Sequence, residues 1–114
     1  MNFNIEMPTP PSINKRLRQH RLRQLEAARE IRKWKSQVGL AVKAKTTKKY
    51  ESNVQVNIKT NIRKNADIDN IIKPILDVLQ LGPIVDDKQI NKIIVERSEI
   101  PEKGWSHVEL MEHE

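Results

Sequence analysis

Apolar and polar residues alternate through Phe3, Asn4, Ile5, Glu6 and Met7, the two-residue period of a strand with one buried face. The run stops at PTPPSIN, where three prolines forbid a longer ladder. From about Leu22 the spacing changes. Leu25, Ala28, Ile31, Trp34, Val38 and Ala41 recur every three or four residues and predict one long helix with a single apolar stripe. Arg29, Arg32, Lys33 and Lys35 spread over its other surface, with Glu26 and Glu30 spaced to pair with Arg29 and Lys33. Residues 43–52 are polar and read as a mobile connection. Alternation resumes at Val54, Val56 and Ile58, with Thr60 and Ile62 in phase, predicting a second strand. Residues 68–80 predict a second helix and 89–97 a third strand; SEIPEKG is a turn. Residues 105–111 predict a last strand with Val108 and Leu110 facing inward. The order β-α-β-α-β-β favours an α/β or α+β fold, a small mixed β-sheet with about two helices packed on it.

The second helix has a definite polarity. Ile68, Ile72, Ile75, Leu76 and Leu79 share one side, bordered by Ile71, whereas Asp69, Asn70, Lys73, Asp77 and Gln80 share the other. Asp69, Lys73 and Asp77 therefore form a row at i, i+4, i+8. Pro74 would remove one helical hydrogen bond and clash with the carbonyl of Asn70. The helix is thus expected either to start late, near Asn70, or to kink there. In both cases Asp67 lies at the cap or outside it.

A chain of 114 residues fits a single domain spanning residues 1–114, with one modest core and no internal repeat. The N-terminus lacks the pattern of a signal peptide, and no apolar run approaches the roughly 20 residues needed to cross a bilayer. A soluble chain with no membrane partner is expected. The absence of cysteine excludes disulfides and cysteine–zinc sites, and His20, His107 and His113 have no zinc-site spacing. Charge changes the picture more. Residues 15–49 hold thirteen of the 21 Lys and Arg against only Glu26 and Glu30, so the net +6 conceals a segment at +11 and a remainder at −5. Such a segment is either a solvated helix face or a surface for a polyanion, and its density favours nucleic acid. With only Phe3, Trp34, Tyr50 and Trp105 as aromatics, backbone-directed contact with a duplex fits better than stacking on single strands.

Two acid pairs stand out in this basic chain. Asp67 and Asp69 flank a helix start, where aspartate commonly caps; Asp86 and Asp87 sit in a turn that favours aspartate on its own account. An EF-hand is excluded, because the loop counted from Asp67 has Ile72 where glycine is needed and Val78 where glutamate is needed. Jointly, an acid cluster at a helix start and another just before a strand can converge at one end of a small sheet. Two bare carboxylates ~4 Å apart repel by about 4 kcal/mol at an effective dielectric of 20. A hard divalent cation relieves that repulsion, and all-oxygen ligands select magnesium or manganese. Acids holding such an ion in a basic protein are what phosphodiester hydrolysis requires.

The stretches PPSIN (10–14), DIDNIIKPILD (67–77) and VDDKQI (85–90) resemble, in order and spacing, the RusA family of Holliday junction resolvases, endonucleases of bacteria and their phages. DxDNxxK followed by a DD pair is the specific part; PPSxN alone is weak. The resemblance implies a small α/β fold, a cytoplasmic homodimer, and Mg²⁺-dependent cleavage of branched DNA at four-way junctions. Mn²⁺ is expected to substitute, and no small-molecule cofactor is expected. It also implies that Asp67, Asp69 and Asp87 are catalytic carboxylates and metal ligands, with Asp86 beside them as a further ligand. By the same resemblance Lys73 lies near the scissile phosphate and Asn70 completes the motif. The residues expected to meet DNA are Asn14, Lys15, Arg16, Arg18, Arg21, Arg23, Arg63, Lys64 and Asn70. Lys73 is also spaced for a plain ion pair with Asp69 or Asp77. One departure from the family pattern is KRLRQHRLR after PPSIN, with no aromatic near the start. The competing reading is a non-catalytic basic DNA-binding module whose acids only cap and turn.

Overall fold

The computed structural model of the chain describes residues 2–11, 21–64 and 66–113, with the backbone alone at 21–23. Four strands form one sheet: β1 (Phe3–Pro8), β2 (Val54–Thr60), β3 (Ile90–Arg97) and β4 (Trp105–Glu112). Their order is β1-β4-β2-β3. Strand β4 runs antiparallel to both β1 and β2, whereas β3 is parallel to β2. A parallel neighbour needs a crossover, and the helix between β2 and β3 supplies it. Helices α1 (Arg21–Lys45) and α2 (Ile72–Leu79) complete an α+β fold with a mixed sheet.

Alternation sorts each strand into two faces. Phe3, Ile5 and Met7 of β1, Val54, Val56 and Ile58 of β2, and Val108 and Leu110 of β4 are buried in one core. The same core takes Trp34, Val38 and Val42 from α1 and Ile71, Ile75, Val78 and Leu79 from the α2 region. The opposite face carries Glu6, Asn57, Lys59, Lys92, Glu96, His107 and Glu109 by the same alternation. The helices thus cover one side of the sheet and leave the other polar.

The long helix keeps its predicted place but not its predicted stripe. Leu25 is 54% exposed and Ala41 is exposed, whereas Val42 is fully buried. The reason is phase: at 3.6 residues per turn, Leu25 lies about half a turn round from Trp34. Val42, not Ala41, continues the row of Trp34 and Val38. Near its end α1 meets the turn after α2, where a Cβ on Gly82 would lie 2.6 Å from Cγ1 of Val42 and 3.2 Å from its carbonyl oxygen. Only glycine permits that approach.

The connection after α1 begins at residue 46 and is not simply polar. Tyr50 is buried; its hydroxyl accepts the Phe3 N–H and donates to the Leu110 carbonyl, each at 3.1 Å. Burial raises the Tyr50 phenol above its ordinary range, the Phe3 N–H opposes this, and the charges of Glu112 and Glu109 add to it. Thr9, Thr60 and Ser106 bring three hydroxyls together, at 2.7 Å between Thr9 and Ser106 and 2.9 Å between Ser106 and Thr60. They fix the start of the proline-rich segment to the end of the sheet. Ile62, expected in the second strand, lies beyond its end at Thr60.

Candidate active site

Pro74 determines how the acid-bearing helix begins. Residues Ile68–Ile71 form a 3₁₀ turn, and regular α-helix starts only at Ile72. Pro74 is then the third residue of α2, within the first turn, where backbone N–H groups have no helical acceptor anyway. The late start resolves the choice between delay and kink.

Asp67 occupies the cap position of the 3₁₀ turn in extended backbone, yet its side chain makes no capping hydrogen bond. Its backbone carbonyl accepts the Asn70 N–H at 3.4 Å. Asp67 and Asp69 are both exposed, and among the described residues their carboxylates have no hydrogen-bonding or ion-pair partner. The loop before them is held from β3: the Arg97 guanidinium donates to the Arg63 carbonyl at 2.7 Å and to the Ala66 carbonyl. Exposed Arg63 and Lys64 flank that anchor, and Asn70 is half-buried.

The second acid pair behaves differently. Asp86 caps the 3₁₀ turn Asp87–Gln89, accepting the Lys88 N–H at 2.9 Å. That bond, helped by the Lys88 charge, holds the Asp86 carboxyl below its ordinary range. Gln89 closes the box. Its Oε1 accepts the Val85 and Asp86 N–H groups at 2.8 and 3.3 Å, while Nε2 donates to the carbonyls of Tyr50 at 2.8 Å and Ser52 at 3.2 Å. One amide therefore ties the acid turn to the segment after α1. An open groove beside the turn includes Lys49, Tyr50, Asp86 and Gln89 in its lining.

Lys73 lies between the two acid stretches along the chain. Its ammonium is 2.8 Å from Oδ1 of Asp77, whose Oδ2 is 2.9 Å from Lys35 of α1. The ion pair is thus with Asp77, not Asp69, and Asp77 bridges the basic helix to the acid-bearing one. Partial burial pushes the Asp77 carboxyl up, but hydrogen bonds from Lys73 and Lys35, with their charges, outweigh it and hold it low. The Lys73 ammonium is held above its ordinary range by the Asp77 hydrogen bond and charge, with a further contribution from Asp87. At 74% side-chain exposure Lys73 keeps its other donor directions open to solvent.

Lys73 is thus joined to Asp77 and lies within the field of Asp87, while Asp86 and Asp87 are side by side. Among the described residues no three acidic or histidine side chains stand together as a group able to hold a metal ion. Asp67, Asp69 and Asp87 still offer the donor chemistry of a hard divalent ion, exposed carboxylates at short turns; Asp86 is committed to its cap. Asn14, Lys15, Arg16 and Arg18 lie outside the described residues, and Arg21 and Arg23 are on the first turn of α1. Sequence reasoning missed Gln89 and Arg97. For Gln89 a signal existed, since Asp86-Asp87-Lys88-Gln89 is a capping-box pattern. For Arg97 there was none.

A family model described as "Endodeoxyribonuclease RusA" matches residues 8–110. The match includes all of VDDKQI and DIDNIIKPILD, and PPSIN near its start. A search of curated proteins finds no match. Among the described residues, no helix is long and apolar enough to cross a membrane.

Proposed function

The chain belongs to the RusA family of endodeoxyribonucleases, and from that premise we propose that it resolves four-way DNA junctions by metal-dependent, paired cleavage as a homodimer. The match over residues 8–110 carries the reading, because it spans both acid stretches and the lysine between them. Supporting it, Asp67 stands at a cap position without capping, so its carboxylate is free for other use.

In this reading Asp67, Asp69 and Asp87 hold Mg²⁺, or Mn²⁺ in its place, with Asp86 shaping the turn next to them. The ion, when bound, supplies a water nucleophile of lowered pKa and neutralises charge on the phosphate. Lys73 acts as a point charge toward a phosphate oxygen, and Asp77 aims that ammonium. Exposed Arg29, Arg32 and Lys33 on α1, with Arg63 and Lys64 before the acids, attract the DNA backbone. Two copies give the two sites that symmetric nicking requires.

The test is cleavage of a synthetic four-way junction with and without Mg²⁺. Wild-type protein should cut only with the ion. Asp67→Asn and Asp87→Asn should bind the junction at least as tightly and fail to cut it, since repulsion toward phosphate is reduced. Binding without any cutting across a range of Mg²⁺ and Mn²⁺ would make the chain a DNA-binding module instead.

A further inference from the structure

The two edges of the sheet are finished differently. Strand β1 is six residues long, ends in Pro8, and has that residue's carbonyl taken by the Trp34 indole at 2.7 Å. A short strand, a proline and a covering helix are common protections of a sheet edge. Strand β3 has none of them. It is eight residues long without proline, keeps regular register with β2 from Lys92 to Arg97, and has no described backbone partner beyond β2 at residues 92–96. Ile93 and Ile94 are 40% and 41% exposed on it. An open, regular, apolar edge is a template for another strand.

The sequence of β3 says which strand fits. With a two-fold axis at Ile94, an antiparallel copy sets Ile94 opposite the partner's Ile94 and Ile93 opposite the partner's Val95. Lys92 then falls opposite the partner's Glu96, and the reverse pair follows by symmetry. Lys92, Ile94 and Glu96 share the polar face, where Lys59 of β2 is already 3.9 Å from Glu96. The row across the join would read Lys59, Glu96, the partner's Lys92, so each acid sits between two cations. A shift of one residue in this register sets Lys92 against the partner's Val95 and loses the pairing.

We propose that β3 is the dimer surface of this chain: a second copy adds antiparallel through Ile94, giving a continuous eight-stranded sheet fixed in register by two Lys92–Glu96 pairs. The proposal rests on the dimeric nuclease reading above and names its interface. It places β3, which the acid turn leads into and whose Arg97 holds the Asp67 loop, at the two-fold axis, so both sites are set relative to each other through one rigid sheet.

Two measurements test it. In sedimentation, Lys92→Glu or Glu96→Lys alone should each raise the dimer dissociation constant about tenfold, as two attractive pairs become repulsive. The double variant K92E/E96K should restore it. The chain has no cysteine, so Ile94→Cys adds a single thiol. Directly opposed strand residues lie about 4.5–5.5 Å apart at Cα, within disulfide reach, so mild oxidation should crosslink the dimer. Leu40→Cys, on the exposed face of α1, should not crosslink. Single reversals without effect, an Ile94 thiol no more reactive than the Leu40 control, or a monomer at every concentration would each overturn the interface. A dimer that cuts junctions but fails the Ile94 crosslink removes the interface and leaves the nuclease reading standing. A dimer that passes both tests and never cuts with Mg²⁺ does the reverse.

Discussion

Replacing Gln89 with alanine removes four hydrogen bonds at once from the turn that carries Asp86 and Asp87. They are not equal. The 2.8 Å bond to the Tyr50 carbonyl is partly buried and should contribute about 1 kcal/mol; the 2.8 Å bond from the Val85 N–H is exposed and worth about half that. The 3.2 and 3.3 Å bonds are exposed, and their partners can turn to water at little cost. The expected loss is about 1.5 kcal/mol, which for a domain of this size lowers Tm by roughly 6 °C. Cutting should suffer more than folding. A reacting group misplaced by about 1 Å can lose on the order of 100-fold in rate, so kcat should fall by about that factor while junction Kd is unchanged. Gln89→Glu keeps the acceptor but aims a second carboxylate oxygen at two carbonyls, and should do no better than alanine. Urea melts and single-turnover cleavage measure both effects. If Q89A is destabilised yet cuts at the wild-type rate per folded molecule, or Q89E matches wild type, the turn is not positioned as argued.

The two acid regions should also part company in melting experiments. Asp86→Ala removes a cap and should lower Tm by a few degrees, whereas Asp67→Ala, which removes no capping bond, should stay within about 2 °C of wild type while losing cutting. Equal destabilisation by both would return Asp67 to a structural role. Asp77 gives a pH signature. Because its carboxyl is held below the ordinary range in the fold, its contribution is present above pH ~4 and is lost as pH falls through the folded value. The gap in urea midpoint between wild type and Asp77→Asn should therefore be open at neutral pH and close in acid; a gap that widens in acid would contradict the bridge to Lys35 and Lys73.

Strands were legible because one buried face writes a period of two: Phe3, Ile5 and Met7, then Val54, Val56 and Ile58, need no partner to be recognised. The long helix was legible in extent and misread in phase, since steps of three and four tolerate drift until Leu25 is carried off the face. Pro74 announced that something happens at the start of α2, but a 3₁₀ turn and a late α-helix satisfy the same sequence. Tyr50 was hidden, because what holds it is Phe3 and Leu110, distant along the chain. Local reasoning placed all four aspartates at caps or turns, yet it could not separate Asp86, which caps, from Asp67, which holds the position without the bond. That difference depends on where one carboxylate points. Lys73 was open to either Asp69 or Asp77, and Lys35, arriving from another helix, makes Asp77 the shared partner.

The sheet order has a consequence for how the protein is made. Strand β1 pairs with β4 alone, so Phe3 waits for Leu110, and β2 gains its antiparallel neighbour at the same moment. Such long-range pairing must close a large loop before any contact rewards it, which makes it slow. On the ribosome the positively charged helix emerges first, the acid stretches next, and β4 after all of them. A nascent chain can therefore attract a polyanion well before it can hold Asp67 and Asp87 in place. Synthesis order delays whatever those carboxylates do until β4, the second of the two inner strands, has been delivered.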